Sequence, residues 1–209
     1  MIIREIRFND KTMVFELLMG NYKKLKVSYE TFEKLGLSLE SDVNDEQYEE
    51  LRREDEYIYA KEMSIHFINY RMRSTQEIKD KLKENNIPSD ISEETMKYLE
   101  EKGYIDDQLF AEEFTAHSLN FKNNSLLFTR RKLYEKGLDK NLIDDIEEKF
   151  FSEEKEAANA RIWALRKIKA EALTDTKEFN KTFRYLATKG FDYDISRRVL
   201  NEIKDEQES

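Results

Sequence analysis

Charged side chains are the residues of this 209-residue chain with the clearest capacity for chemistry. Four carboxylates fall close together, at Asp106, Asp107, Glu112 and Glu113. Carboxylate oxygens can bind a hard metal ion, but such a site needs ligands that converge on one point. Acids at this spacing are more typical of the first turns of a helix, where they interact with its positive end. We therefore expect no metal site here.

Basic residues fall into three blocks, at 71–83, 122–138 and 161–203. Arginine suits carboxylate and phosphate groups because its guanidinium is a planar fork of donors. The blocks therefore predict contacts with an acidic protein surface or with DNA phosphate. The candidate binding residues are Arg71, Arg73, Lys79, Lys81, Lys83, Arg130, Arg131, Lys132, Lys136, Arg166, Lys167, Arg184, Arg197 and Arg198, and Lys169 and Lys181 belong to the third block.

The residue patterns that usually carry catalysis are missing from the sequence. It contains no cysteine, no phosphate-binding glycine loop, no Gly-x-Ser-x-Gly elbow and no His-Glu-x-x-His motif. Its two histidines, His66 and His117, are 51 residues apart, and we expect them in a core or an interface. We predict a protein that is not an enzyme and needs no cofactor.

Composition narrows the class of protein further. Hydrophobic residues make up 39% of the chain, which is enough for a core, and one proline with five glycines favours long helices.

No apolar run is long enough for a membrane span, and the N-terminus is unlike a signal peptide. The absence of cysteine fits a reducing compartment, so we expect a cytoplasmic protein, and we predict a monomer. A net charge of −9 argues against indiscriminate binding along a nucleic-acid backbone.

The first sixty residues differ from the rest. Three short segments rich in apolar and β-branched residues, at 2–8, 13–19 and 22–28, are separated by Asn-Asp and Gly-Asn turn signals. This pattern predicts a small antiparallel meander. A short helix follows, with Ser28 as its N-cap and Gly36 as its end.

A repeat of about fifty residues fills the remainder of the chain. Leu82, Leu133 and Leu186 align at offsets of 51 and 53, and the same offsets align Asn86, Gly137 and Gly190 and then Ile87, Leu138 and Phe191. These three columns are typical of a Schellman helix ending. Its glycine or asparagine adopts a left-handed conformation, and the apolar residue that follows packs back on the helix.

The repeat continues in both directions from this ending. Downstream, Asp90, Asn141 and Asp194 are predicted N-caps of a helix whose apolar residues recur every four positions. Upstream, a column of Asp55, Asp106 and Asn159 is predicted to start a helix. That helix carries an apolar-aromatic-alanine triplet, which we expect in the core: Ile58-Tyr59-Ala60, Leu109-Phe110-Ala111 and Ile162-Trp163-Ala164.

These observations predict a mainly α protein. It has a small β-rich module with a short helix at 1–41, an acidic, helical connecting segment at 42–56, and three-helix repeats at 57–104, 105–154 and 155–204. Tandem repeats of this kind pack in series, so we expect an elongated, curved array.

Three segments carry a family resemblance: YRMRSTQEIKDKL (70–82), GYIDDQLFAEEF (103–114) and RRKLYEKGLDKNLIDDI (130–146). They resemble the RecX family of recombinase regulators in its Arg-Ser helix start, its Gly-Tyr-hydrophobic-Asp-Asp motif followed by Phe-Ala, and its Leu-x-x-Lys-Gly helix ending. Asn123-Asn124 departs from the glycine that commonly precedes the second middle helix.

The resemblance implies a regulator that binds the filament of the RecA recombinase and inhibits its ATPase, strand-exchange and co-protease activities in DNA repair and the SOS response. Two alternatives stay open from the residues themselves. The basic blocks also fit a helical-repeat protein that binds single-stranded nucleic acid directly, and the acidic N-terminal half fits an adaptor that recruits another protein.

Overall fold

The computed structural model describes residues 1–168 and 176–208, so Lys169 lies outside the described residues. It is mainly helical with a small N-terminal sheet, as predicted. The elements in chain order are β1 (Ile3–Asn9), β2 (Val14–Met19), β3 (Lys24–Ser28), α1 (Tyr29–Lys34), α2 (Asp45–Tyr70), α3 (Thr75–Glu84), α4 (Ser89–Glu101), α5 (Asp107–Asn120), α6 (Leu126–Glu135), α7 (Lys140–Phe150), α8 (Glu153–Lys167), α9 (Thr176–Thr188) and α10 (Tyr193–Glu208).

The chain divides into two compact units. The first contains residues 1–73 and 77–105, and the second contains residues 74–76 and the described residues from 106 onward. The first unit has one core under the sheet and another among α2, α3 and α4; the second unit has one core in α5–α7 and another in α8–α10. In the part of the chain that is described, no helix has the length and apolar character needed to cross a membrane.

The N-terminal module is the predicted meander. Its three strands pair antiparallel in the order β1-β2-β3. The short helix α1 begins at Ser28, whose side chain accepts a hydrogen bond from the Thr31 N–H at 3.1 Å, and it ends at Gly36, which has a φ of +58°. Both sequence signals therefore act as predicted.

Carboxylates of α2 cover the open edge of β3. The N–H of Lys26 donates to Asp55 at 2.8 Å, and the N–H of Ser28 donates to Glu54 at 2.9 Å. Burial raises the pKa of Asp55, and the Lys26 N–H opposes that rise. An uncovered edge strand is a template for pairing with other chains, so these two bonds both attach the sheet to α2 and close one of its edges.

Each repeat is built from three helices: α2–α4, α5–α7 and α8–α10. The prediction that the column of Asp55, Asp106 and Asn159 starts a helix is right only for Asp106, which caps α5 by accepting from the Leu109 N–H. Helices α2 and α8 begin ten and six residues before their column members, at Asp45 and Glu153, because no glycine or proline interrupts them. Helix α2 therefore runs without a break through the predicted boundary between residues 56 and 57.

The middle helices end in the predicted Schellman motif. Asn86, Gly137 and Gly190 have φ values of +58°, +75° and +85°. The N–H of the next residue reaches back to the leucine carbonyl in each copy, as in Phe191 to Leu186 at 3.2 Å. The left-handed residue and the apolar contact recognised in the sequence are thus the physical end of α3, α6 and α9.

The predicted N-caps of the third helices are two residues too late. Helix α7 is capped by Asp139, which accepts from the Asn141 N–H at 2.8 Å, and Asp192 accepts from the N–H of Asp194 in the same way. Pro88 holds this position in the first repeat and makes no side-chain cap. In the second and third repeats, two residues with side-chain oxygens could each cap the helix. The cap is the one closer to the end of the preceding helix, because the connection between the two helices is short.

The triplets of the first helices are only partly in the core. Ala60, Ala111 and Ala164 are fully buried in all three copies. Tyr59 is 50% exposed and Leu109 is 45% exposed, which contradicts the prediction of core packing for them. Alanine is needed where helices approach closely, whereas the neighbouring large side chain can point to solvent.

Repeated contacts join the end of one middle helix to the start of another within the second unit. The hydroxyl of Ser74, before α3, donates to the carbonyl of Lys136 at the end of α6 at 2.7 Å. The hydroxyl of Ser125, before α6, donates to the carbonyl of Lys189 at the end of α9, also at 2.7 Å. These serines are 51 residues apart, so the same junction is made twice.

A carboxylate completes each junction. The N–H of Thr75 donates to Asp107 at 2.8 Å, and the N–H of Leu126 donates to Glu156 at 3.1 Å. The free N–H groups of a helix start and its partial positive charge are both stabilised by an acid.

The junction also leaves no room for a side chain at its glycines. A Cβ on Gly137 would lie 2.5 Å from the Cβ of Gln76, and a Cβ on Gly190 would lie 2.8 Å from the hydroxyl oxygen of Ser125. Gly103 has a similar φ of +67° but open space around it. Asn86 can replace glycine in the first copy because no repeat precedes it.

We expect Gly137→Ala to destabilise the protein more than Gly103→Ala. The left-handed backbone costs either variant about 1–2 kcal/mol. The contact with Gln76 adds roughly 1–3 kcal/mol in the first variant alone, as for other overpacked sites. The measurement is the free energy of unfolding in urea, followed by circular dichroism. Equal losses in the two variants would show that the close approach is unimportant.

Candidate partner-binding surface

The predicted basic residues lie mainly on the middle helices α3, α6 and α9 or beside them, with Arg166 and Lys167 in the last turn of α8 and Arg197 and Arg198 in α10. The structure separates them into two groups, apart from Lys136, which follows α6 and whose carbonyl accepts from Ser74. Ion pairs with carboxylates hold Arg71, Arg73, Lys81, Arg130, Lys132, Lys181 and Arg198. Each cation of this first group has a carboxylate partner within the protein.

Arg130 is the most strongly held of these cations. Its guanidinium binds Asp144 at 2.7 Å and also contacts Glu147 and the hydroxyl of Tyr134. Two carboxylates would be left without this partner if Arg130 were removed. Its first role is therefore to join α6 to α7.

Arg73 is also used inside the fold. Its guanidinium carbon lies 3.7 Å from the centre of the Phe67 ring, and its Nε donates to the Phe67 carbonyl at 3.2 Å. Only 10% of its side chain is exposed. Burial lowers the pKa of Arg73. Little of this side chain is left for a partner.

The second group consists of cations that make no ion pair with any described residue: Lys79, Lys83, Arg131, Arg166, Lys167, Arg184 and Arg197. Arg131 and Arg184 hold the same position in successive repeats, 53 residues apart, and both are exposed. The first repeat has Asp80 there. Charge left free at one repeated position suits contact with an anionic partner.

The acidic candidates have structural roles. Asp106 caps α5, Asp107 serves the junction described above, and Glu112 accepts from Lys149 and from Gln108. The bond from Lys149 lowers the pKa of Glu112. No group of three or more potential ligand residues converges anywhere in the described residues.

Neither histidine is buried, which contradicts a core position for them. His66 is exposed on α2, and His117 is exposed on α5, where its ring stacks on Phe121 at 5.4 Å. The alignment of the two histidines reflects the repeat and brings no shared site.

Sequence reasoning missed Glu156, the acid of the second junction. It is 8% exposed, and burial raises its pKa to about 7, with a smaller rise from Asp192 and an opposing effect of the Leu126 N–H. A glutamate in the first turn of a helix is ordinary in sequence, so only its burial marks it.

It also missed an aromatic and cationic cluster formed by Trp163, Arg166, Lys167, Tyr185 and Lys189. Lys189 lies 4.5 Å from the centre of the Trp163 ring. The signal that could have revealed the cluster is the repeat alignment, in which the third copy replaces Glu62 and Glu113 by Arg166.

The fold and these surfaces define a class, the proteins built from tandem three-helix domains. Two family profiles match the chain: the first three-helix domain of RecX at residues 60–99 and the third three-helix domain of RecX at residues 153–200. Helices α5–α7 lie between the two matched segments.

Sequence comparison gives the particular family. A protein of Finegoldia magna named regulatory protein RecX is 30% identical over 95% of this chain and 98% of its own length. A regulatory protein RecX of Clostridium botulinum is 27% identical over 95% of this chain and 93% of its own. The chain belongs to the RecX family.

Solved structures agree on the fold. A crystal structure of regulatory protein RecX covers 96% of this chain and 98% of its own at a TM-score of 0.72 and 21% identity. RecX from Lactobacillus salivarius covers 71% of this chain and 97% of its own at a TM-score of 0.63 and 23% identity.

The pH dependence of stability in a Glu156 variant tests whether this carboxylate is buried at the second junction. The raised pKa means that the folded state holds a proton that the unfolded chain releases near its ordinary value of 4.5, so wild-type stability falls as pH rises from 4.5 to about 7. The glutamine of Glu156→Gln does not titrate, so the variant lacks this fall in stability. We expect its free energy of unfolding to rise relative to that of the wild type across this range, by about 3 kcal/mol at most.

The measurement is the free energy of unfolding in urea between pH 5 and pH 8. The exposed Glu113→Gln is the control and should follow the wild-type profile. A constant difference between Glu156→Gln and the wild type at all pH values would contradict the assignment.

Proposed function

We propose that this protein binds the filament of the RecA recombinase and restrains its ATPase, strand-exchange and co-protease activities. Membership of a family whose members are named regulatory proteins carries the proposal, since the likeness to the Finegoldia magna protein extends over 95% of the chain. The resemblance seen in the sequence motifs supplies the partner. The predicted cytoplasmic location is the compartment in which a bacterial recombinase acts.

The free cations supply the contact surface. Arg131 and Arg184 support the proposal most directly, because each is exposed, without an ion pair among described residues, and repeated at the same helix position. A helical polymer repeats its own surface, so a partner that repeats its charges can make the same contact more than once. Arg contacts of this kind hold carboxylates or phosphates through two donors.

Internal pairing makes Arg130 a poor test residue. A loss of activity in an Arg130 variant would combine lost binding with the stranded charges of Asp144 and Glu147. The exposed arginines avoid this ambiguity.

We expect the double variant Arg131→Glu, Arg184→Glu to lose inhibition of RecA while it keeps its fold. Reversal replaces attraction to an anionic surface with repulsion, so the concentration for half inhibition should rise about tenfold or more at low salt and less at high salt. The measurements are RecA ATPase and strand exchange with the protein in sub-stoichiometric amounts.

The matched control is Lys97→Glu, Lys140→Glu, which makes the same change of charge at two exposed lysines outside the predicted set. It should inhibit like the wild type. Equal inhibition by both double variants would overturn the role of the arginine position, and no effect of the wild type on RecA would overturn the proposed function in favour of an adaptor.

A further inference from the structure

The first strand of the N-terminal sheet has an open edge. The strand order places β1 and β3 at the two edges of the sheet. The edge of β3 is covered by α2, which accepts from the N–H groups of Lys26 and Ser28. In the described residues, the edge of β1 is covered only at its start, where Ile3 donates to Ser41 at 3.1 Å and accepts from Glu40 at 2.9 Å. One edge is therefore closed and the other is largely open.

The pairing within the sheet shows which backbone groups of β1 point outward. The N–H of Lys26 points away from β2, so Glu16, which lies opposite Lys26, directs its backbone groups toward β1. Arg7 lies opposite Glu16 and directs its own groups toward β2. The neighbours of Arg7, Ile6 and Phe8, therefore direct their N–H and C=O groups outward. These groups have no hydrogen-bond partner among the described residues.

Apolar side chains accompany the open edge. Phe8 is 45% exposed, and its ring centre lies 4.6 Å from that of Phe15 and 6.3 Å from that of the exposed Tyr29. A strand with unpaired backbone groups and exposed apolar neighbours is a template for pairing with a further strand.

The charges of β1 are complementary to those of a second β1. In an antiparallel pair centred on Ile6, Glu5 of each copy lies opposite Arg7 of the other. A pair centred on Arg7 would instead place two arginines opposite each other, which is unfavourable. Within one chain, Arg7 already contacts Glu5 at 2.6 Å, but both side chains are exposed, so this ion pair contributes little and can exchange for one between copies. The charges thus favour a single register.

We propose that the open edge of β1 pairs with β1 of a second copy of this chain and joins the two three-stranded sheets into one antiparallel sheet. Ile6 of each copy exchanges backbone hydrogen bonds with Ile6 of the other, and Phe8 lies opposite Arg4. The proposal replaces the monomer expected from the sequence, in which the open edge of β1 cannot be recognised.

The dimer has a consequence for the proposed function, although its formation does not depend on RecA. A short strand pairing is a small interface, so we expect the dimer at protein concentrations of about 10 µM or more. Two joined copies present Arg131 and Arg184 twice. If the protein binds a filament as proposed, attachment at two points strengthens binding without any new kind of contact.

Exchange of charges tests both the dimer and its register. The mass of the full chain is measured by sedimentation equilibrium at low salt over a range of concentrations, and the wild type should approach twice the monomer mass. Glu5→Arg and Arg7→Glu should each weaken dimerisation about tenfold or more, because like charges then lie opposite each other twice. An equal mixture of the two variants should recover the dimer, since each new charge then lies opposite its complement.

The matched controls are Glu113→Arg and Lys140→Glu, which make the same changes of charge on the exposed surface of the second unit. They should dimerise like the wild type, and circular dichroism verifies the fold of every variant. A wild-type monomer at every concentration would overturn the proposal and leave the edge to a segment of another protein. A dimer that the strand variants do not weaken, or that their mixture does not recover, would also overturn it.

Amide hydrogen exchange locates the paired strand directly. The N–H groups of Ile6 and Phe8 should exchange about tenfold more slowly in concentrated than in dilute wild-type protein, because pairing gives them acceptors. The N–H of Lys26 already has Asp55 as its acceptor and should exchange at the same rate in both. Unchanged exchange at Ile6 in a protein that does dimerise would place the interface elsewhere and overturn the proposal.

Discussion

A close backbone approach at one glycine position organises the second unit. Gly137 and Gly190 end their helices in a left-handed conformation and at the same place face the start of another middle helix, where a Cβ would clash. Ser74 and Ser125 donate to the carbonyls of the residues before these glycines. The N–H of the residue after each serine donates to a carboxylate. One residue type therefore ends a helix and sets the spacing between repeats, because glycine alone meets both conditions without strain.

Because the ends of the middle helices are used in these junctions, the side chains that a partner can contact lie along the sides of the helices. Several carboxylates near the middle helices pair with lysines and arginines of the same repeat, as Asp144 and Glu147 pair with Arg130. Exposed pairs of this type contribute little stability, but they remove charge from the surface that a partner meets. The cations that remain, Arg131 and Arg184 among them, give a strongly acidic protein a small number of defined positive positions.

The third repeat is specialised relative to the other two. Its packing residues follow the common pattern, including the aromatic position of Trp163, while Arg166, Lys167 and Tyr185 depart from it and lie beside that ring. Duplicated domains free one copy to change surface residues as long as the buried positions are kept. The elongated, curved form of the array stays a prediction from the repeat pattern.

The sequence alone determined the N-terminal meander, the three-helix repeat and its Schellman endings, because these depend on local signals: turn residues, apolar spacing and a glycine or asparagine at a positive φ. The sequence placed the N-caps of the third helices wrongly where two nearby residues could each act as the cap, as at Asp139 and Asp192. Tertiary structure alone decided which basic residues are free, since a pair such as Arg130 with Asp144 joins residues on different helices. It also decided the burial that raises the pKa of Glu156 and the meeting of rings and cations at Trp163, because these depend on distances that no local pattern encodes.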